Sequence, residues 1–382
     1  MEFSHIFNLK GAKIIAFFAL FFTFYTSNAQ NDIAPTNSIE AESLEELEEE
    51  NGLDINNFIL HHIADAHEFH FFGEGAGWKG IYFPIILFTD HGLVTFSSKE
   101  FQLDNDATVV VEKNSQRFVR YHNKIYYASE EAEHGSYLSM TTDEKGEHVV
   151  LNAKPWDFSI TKNVFTILFS IAALCLIFIS VANSYKKREG KAPKGLQSLI
   201  EPIIIFVRDD IAKPNLGYKY ERYMPYLLTV FFFIWFNNMF GLIPFFPGGA
   251  NVTGNIAVTM VLASITLLIT LFSGNKYYWS HIFRPNVPWW LYPLMIPVEI
   301  IGVFTKPIAL MIRLFANITA GHILVLALIS LIFVFESVAV APASILFVIF
   351  ISLIELLVAF IQAFIFTILS ALFIGMAIEE HH

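Results

Sequence analysis

The chain has 382 residues, of which 54% are hydrophobic and only 15% charged, and its mean hydropathy is +0.51. That composition excludes an ordinary soluble domain and requires long apolar runs. A formal charge of -11 argues against a nucleic-acid partner, which needs clustered Lys and Arg, and the lone Cys175 excludes an internal disulfide.

The first thirty residues read as a secretory signal, assigned to 1–29. Lys10 and Lys13 form a basic start, Ile14 to Tyr25 a short apolar core, and Ser27-Asn28-Ala29 a small-x-small cleavage site before Gln30. The core is too short to cross a bilayer, which needs roughly 20 apolar residues. Residues 30–155 then read as a periplasmic extension. Its start, through the acidic run Ser43 to Glu50, is low in complexity and disordered or loosely helical. Strand-like runs follow at Ile81 to Thr89, Thr108 to Val111, Arg117 to Tyr127 and His148 to Leu151. They are β-branched or aromatic and are separated by Asn, Gly and Ser.

Residues 156–382 form the membrane domain, with five hydrophobic blocks. Val164 to Ala182 is a clean span ending in Lys186-Lys187-Arg188. Met224 to Phe246 is a second, with a break expected near Asn237, Asn238, Gly241 and Pro244. Ile256 to Phe272 is a third, followed by Lys276, His281 and Arg284. Leu291 to Phe335 and Val338 to Ile378 exceed a perpendicular span, which implies tilt or a break. Between the first two, Leu196 to Ile211 mixes apolar residues with Gln197, Glu201, Arg208, Asp209 and Asp210, as an interfacial helix does. The basic loops place the C-terminus in the cytoplasm and the mature N-terminus outside. The predicted fold is an all-α polytopic membrane protein of about five membrane helices plus an interfacial amphipathic helix. Its last two helices form a long, tilted antiparallel hairpin, and a small β-containing extramembrane region precedes them.

Ionisable residues inside the apolar blocks are the functional signal. The fourth holds Glu299, Lys306, Arg313, Asn317 and His322; the fifth holds Glu355 and Gln362. A charge at the bilayer centre costs on the order of 3 kcal/mol, so such groups line an ion path or meet an opposite charge. On a helix the stripe centred on Arg313 contains Ala309, Ala316, Asn317, Ala320, Leu324 and Ala327. Small residues allow close approach of another helix, and tight packing on a fixed neighbour explains the alanines equally well. In an antiparallel hairpin Gln362 lies level with Arg313, while His322 and Glu355 are displaced to the outer side. Glu299 lies about 21 Å from Arg313 the other way, at 1.5 Å per residue. Two polar approaches separated by one fixed positive charge is the layout of a half-channel mechanism.

At these residues the chain resembles ATP synthase subunit a. The resemblance is carried by Lys306-Pro307-Ile308-Ala309-Leu310-Met311-Ile312-Arg313-Leu314-Phe315-Ala316-Asn317, by Ala320-Gly321-His322 and by Ile361-Gln362-Ala363-Phe364-Ile365-Phe366. Earlier and later it includes Phe236-Asn237-Asn238-Met239-Phe240-Gly241-Leu242-Ile243-Pro244 and Ala377-Ile378-Glu379-Glu380-His381. It covers about residues 155 to 382.

The resemblance implies a proton-translocating stator in a bacterial inner membrane. Its partners would be a c-subunit ring, the b subunits of the peripheral stalk and the remaining ATP synthase subunits. It implies no cofactor and no catalytic site in this chain. Arg313 would separate two half-channels leading to ring carboxylates. His322 and Glu355 would serve the outer one, Asn317 and Gln362 would be polar partners of the arginine, and Glu299 would lie on the cytoplasmic approach. Some members carry acid and histidine exchanged between the two outer positions, and either order can relay protons. Sodium instead of protons, a secondary transporter and a structural membrane anchor are the rival readings.

The long N-terminal third departs from the family pattern. There His61, His62, His67, His70, Asp65 and Glu68 cluster. His-x-x-His spacing is compatible with a metal site, but the expectation is an interfacial amphipathic helix with titrating histidines, and no metal.

Overall fold

The computed structural model describes residues 65–72, 79–132, 135–142, 148–243, 248–285, 287–335 and 340–379. The signal segment, the acidic run, His61 and His62 lie outside the described residues. The described residues divide into two compact units, 65–166 with 248–250, and 167–243 with 251–379.

The first unit is built from short antiparallel strands. β1 (Glu68–Phe72) pairs with β2 (Lys79–Tyr82); β3 (Pro84–Thr89) lies between β4 (Gly92–Ser97) and β10 (Trp156–Asp157). β6 (Gln116–Tyr121) lies between β5 (Val111–Lys113) and β7 (Lys124–Tyr127), and β8 (Met140–Thr142) pairs with β9 (His148–Val150). Alternation along β3 and β4 turns Ile85, Leu87, Val94 and Phe96 inward onto Phe101, Val111, Phe118 and Ile125. The single expected run from Arg117 to Tyr127 is two strands, because His122 and Asn123 both take positive φ (47° and 60°) in a two-residue hairpin. That is the turn whose twist suits antiparallel strands.

Among the described residues the amphipathic helix expected around the histidines is not formed: Glu68–Phe72 is strand β1. Phe69 is inside and His70 outside, and Glu68 pairs with Arg120 on β6. Nor do the described members of that cluster converge on one point. Asp65 accepts from the Thr161 hydroxyl at 2.8 Å and the Asn163 N–H at 2.9 Å, while buried His67 places Nε2 3.8 Å from Asp157. Among the described residues no three His, Cys, Asp or Glu side chains could hold a metal.

The second unit is helical. α1 (Lys162–Lys187), which begins in the first unit, is followed by α2 (Leu196–Phe206), a π-helical turn at Val207–Ala212 and the short α3 (Lys213–Leu216). Then come α4 (Tyr220–Leu242), α5 (Ile256–Ser273), α6 (Lys276–Phe283), α7 (Tyr292–Val334) and α8 (Ala341–Ile378). Among the described residues five helices are long and apolar enough to cross a membrane, matching the five hydrophobic blocks. The interfacial segment is helical too, with Ile200 and Ile204 buried and Leu199 exposed.

The helix ends inside the second block as expected, at Leu242 beside Gly241, but Asn237 and Asn238 do not break it, since α4 runs through both. Both amides are buried and satisfied. Asn237 donates to the Phe233 carbonyl at 2.8 Å and accepts from Ser170; Asn238 accepts from Thr253 at 2.6 Å and donates to the Ala359 carbonyl at 3.4 Å. A buried polar side chain is tolerated when it is hydrogen-bonded, so these residues fasten α4 to α1, α5's approach loop and α8. The two long blocks are likewise continuous helices of 43 and 38 residues, although Pro297 and Pro307 lie inside α7. At 1.5 Å per residue they are about 65 and 57 Å long, about twice the hydrocarbon thickness.

Two predictions concern the first unit. Arg120 is 1% exposed and donates to Glu68 at 2.6 Å and to the Asp104 carbonyl at 2.6 Å. Arg120→Met strands Glu68 in the interior and is expected to cost about 3–5 kcal/mol, seen as faster amide hydrogen exchange across β1 and β6; unchanged protection refutes it. Asp157 sits below the usual carboxylate range. Burial alone would raise it, but the His67 imidazole and Ser159, whose N–H donates at 2.8 Å, outweigh the burial. Its stabilisation is present above about pH 3.9 and is lost as pH falls from there through the depressed native value. Exchange of the β10 amides should accelerate in that window, and Asp157→Asn should flatten the dependence.

Candidate functional site

The stripe singled out in the fourth apolar block faces outward. On α7, Ala309, Arg313, Ala316, Asn317, Ala320 and Leu324 are all exposed, whereas Leu310 and Leu314 are buried behind them. The alanines therefore do not pack on a fixed neighbour within the described chain. Nor does Arg313 have an internal counter-ion: among the described residues no carboxylate pairs with it. Arginine keeps its charge at any physiological pH, so α7 offers a bare cation on a surface of small side chains.

α8 packs antiparallel on α7, and two contacts set the register. A Cβ added at Gly321 would fall on the Glu355 carboxylate, and the Lys306 ammonium lies 5.6 Å from the Phe373 ring centroid. The absent side chain at Gly321 is thus what lets Glu355, half-buried, lie against α7 one residue from His322, also half-buried. Eight residues along α7 from Gly321 is Arg313, and seven along α8 from Glu355 is Gln362. At 1.5 Å per residue these steps are about 12 and 10.5 Å, which brings Arg313 and Gln362 to one level. Gln362 is buried, one turn from the Ala359 carbonyl that accepts from Asn238.

Beyond Arg313 in the other direction, a small cavity opens among Thr270 of α5, Tyr278 of α6, Lys306 and Pro307 of α7 and Phe373 of α8. Burial pushes the Tyr278 phenol up, and the Glu299 carboxylate raises it further, which places Glu299 within electrostatic reach of this end. The site residues therefore fall into three levels along the hairpin. His322 and Glu355 occupy one, Arg313 and Gln362 the middle, and Glu299 the third; Asn317 stands on the exposed face one turn from Arg313. Tyr278 and the fastening role of Asn238 with Thr253 were not legible from the sequence, since their neighbours come from other helices. Gly321, conspicuous between Ala320 and His322, was the one available signal for the close approach of α8.

Residues 164–375 match the family described as ATP synthase A chain, and residues 58–158 match a separate family described as a domain of unknown function. The chain is 49% identical over 233 residues to ATP synthase subunit a of Chloroherpeton thalassium, covering 59% of this chain and 69% of that protein. It is 48% identical over 235 residues to ATP synthase subunit a of Chlorobium phaeobacteroides (59% and 68%). With ATP synthase subunit a of Myxococcus xanthus the identity is 45% over 234 residues (59% and 75%). With more than half of its length matched by the family model, this chain belongs to the ATP synthase subunit a family.

Proposed function

We propose that this chain, the ion-translocating membrane-sector subunit of an F-type ATP synthase, carries protons through two half-channels kept apart by Arg313. The observation that carries the reading is a guanidinium within an apolar span, on an exposed stripe of mostly small residues, that no carboxylate among the described residues pairs. A cation there is stable only when a counter-charge arrives from outside the chain. A ring of c subunits, each presenting a carboxylate, supplies that charge transiently. The small side chains of Ala309, Ala316 and Ala320 let the ring surface pass close to α7.

Each group then has a role. Arg313 holds the passing carboxylate ionised and bars direct proton transfer between the two sides. His322 and Glu355, the latter lying against Gly321, relay protons along the outer path, since an imidazole and a carboxyl group can both accept and release protons. Gln362 and Asn317 solvate the approach to the arginine. Glu299, with the cavity beside Tyr278 and Lys306, forms the inner path. The drive is electrochemical, about 2.3 kcal/mol per charge per 100 mV.

The protein is a multi-pass membrane protein of a bacterial membrane. The finer placement is the inner membrane, with the mature N-terminus periplasmic and the C-terminus cytoplasmic. Residues 1–29 would be a signal peptide, 30–155 a periplasmic extension and 156–382 the membrane domain. The working partners are the c ring, the b subunits of the peripheral stalk, the other synthase subunits and the bilayer. The Lys186-Lys187-Arg188 cluster at the end of α1 supports that orientation.

In the reconstituted complex Arg313→Ala is expected to abolish proton-coupled ATP synthesis while assembly persists. Retained coupling would sink the separator role and favour a purely anchoring subunit. The ion itself is tested by driving synthesis with a proton gradient in sodium-free buffer. The His322–Glu355 relay predicts an undiminished rate, and a strict sodium requirement contradicts it.

A further inference from the structure

The connector between α5 and α7 has a surface that ion translocation does not use. Both of its ends run directly into membrane-spanning helices, so it cannot leave the membrane surface. It is also clamped from within. The Asn275 N–H donates to the Ala377 carbonyl at 3.0 Å, and its side-chain amide donates to the Glu379 carbonyl at 2.7 Å. On α6, Tyr278 and Ile282 turn inward, whereas Trp279 and Phe283 turn outward with rings nearly parallel, 6.1 Å apart at 13°. Trp289 and Trp290, just beyond, are 82% and 65% exposed.

Basic groups cluster along this surface, with the exposed Glu379 standing at its Asn275 end. Lys276, His281 and Arg284 are all exposed, and residues 222–298 contain no Asp or Glu. Aromatic side chains with an apolar body and a polar edge settle at the headgroup level of a bilayer, and clustered basic residues there attract anionic lipid. We propose that the connector from α6 to Trp290 is a binding site for anionic phospholipid headgroups. Trp279, Phe283, Trp289 and Trp290 sit at the boundary between headgroups and acyl chains. Lys276, His281 and Arg284 contact the phosphates. The orientation proposed above enters only in naming the leaflet, which would be the cytoplasmic one. Because Tyr278, on the inner side of the same helix, borders the cavity below Arg313, bound lipid would also brace the wall of the inner path.

The test uses the assembled complex in vesicles of phosphatidylcholine containing a minor fraction of phosphatidylglycerol. A photoreactive benzoylphenylalanine replacing Tyr277, which is 56% exposed on α6, should cross-link phosphatidylglycerol in excess of its share of the lipid. Cross-linking to another subunit, or to the two lipids in proportion to their abundance, overturns the proposal. In Lys276→Gln/Arg284→Gln complex, phosphatidylglycerol capture should weaken by roughly fivefold per removed charge, with ATP synthesis retained. Undiminished capture overturns it. Should the double variant fail to assemble, the cross-linking at native charge decides alone. The Arg313→Ala outcome is independent of all of these results.

Discussion

Arg313 lies within an apolar span, and among the described residues it has no carboxylate to meet. The rest of the membrane unit is arranged around that constraint. Side chains flanking Arg313 on the outer face are small, so the charge projects from a shallow surface instead of being folded into a pocket. Behind it, the helix is held by apolar packing through Leu310 and Leu314. Hydrogen bonds hold α8 in turn: Thr253 to Asn238, and Asn238 to the Ala359 carbonyl. Removing a bond partner from such a set leaves a buried amide unpaired, which costs more than the bond itself contributes. The register of the hairpin, and with it the level of Gln362 beside Arg313, therefore depends on residues remote from the charge.

Most of the membrane unit was legible because apolar run length is a direct physical requirement of the bilayer. All five spans lie where the hydropathy placed them, and the interfacial segment is a helix with one buried edge. What misled was local polarity. Asn237 and Asn238 look like a helix end when only α4 is considered, yet Ser170, Thr253 and Ala359 supply partners that local pattern does not reveal. The three levels of the hairpin followed from helical rise alone. Tyr278 did not, because its closeness to Glu299 depends on how α6 folds back.

The β unit was less legible. Its strands are two to six residues long, and two of its turns use non-glycine residues at positive φ, Asn114-Ser115 and His122-Asn123, so the usual Gly punctuation is missing there. The histidines near β1 misread as a helical face because His67 and His70 are three apart. In the extended chain entering and forming β1 they are set apart, His67 buried just before the strand and His70 exposed within it. That this unit matches a family of its own, apart from the one matched by the helices, accords with its possessing a separate apolar core and a buried Arg120–Glu68 pair.

A stator is loaded sideways whenever the charges on a moving rotor are attracted to it, and that load must leave through something stiffer than lipid. The last turn of α8 is fastened on several sides. Lys219 donates to the Ile378 carbonyl at 3.4 Å, Asn275 donates to the Ala377 and Glu379 carbonyls, and Gly375 brings the helix so near the Asn215 carbonyl that no Cβ would fit. α8 is thus a beam clamped at this end, while most apolar side chains from Leu346 to Leu357 are exposed and Glu355 lies against α7. A lateral pull at the level of Gln362 is transmitted to α3, to the start of α4 and to the α5–α6 corner together. Stiffness at this corner sets how far Gln362 yields when the load comes on.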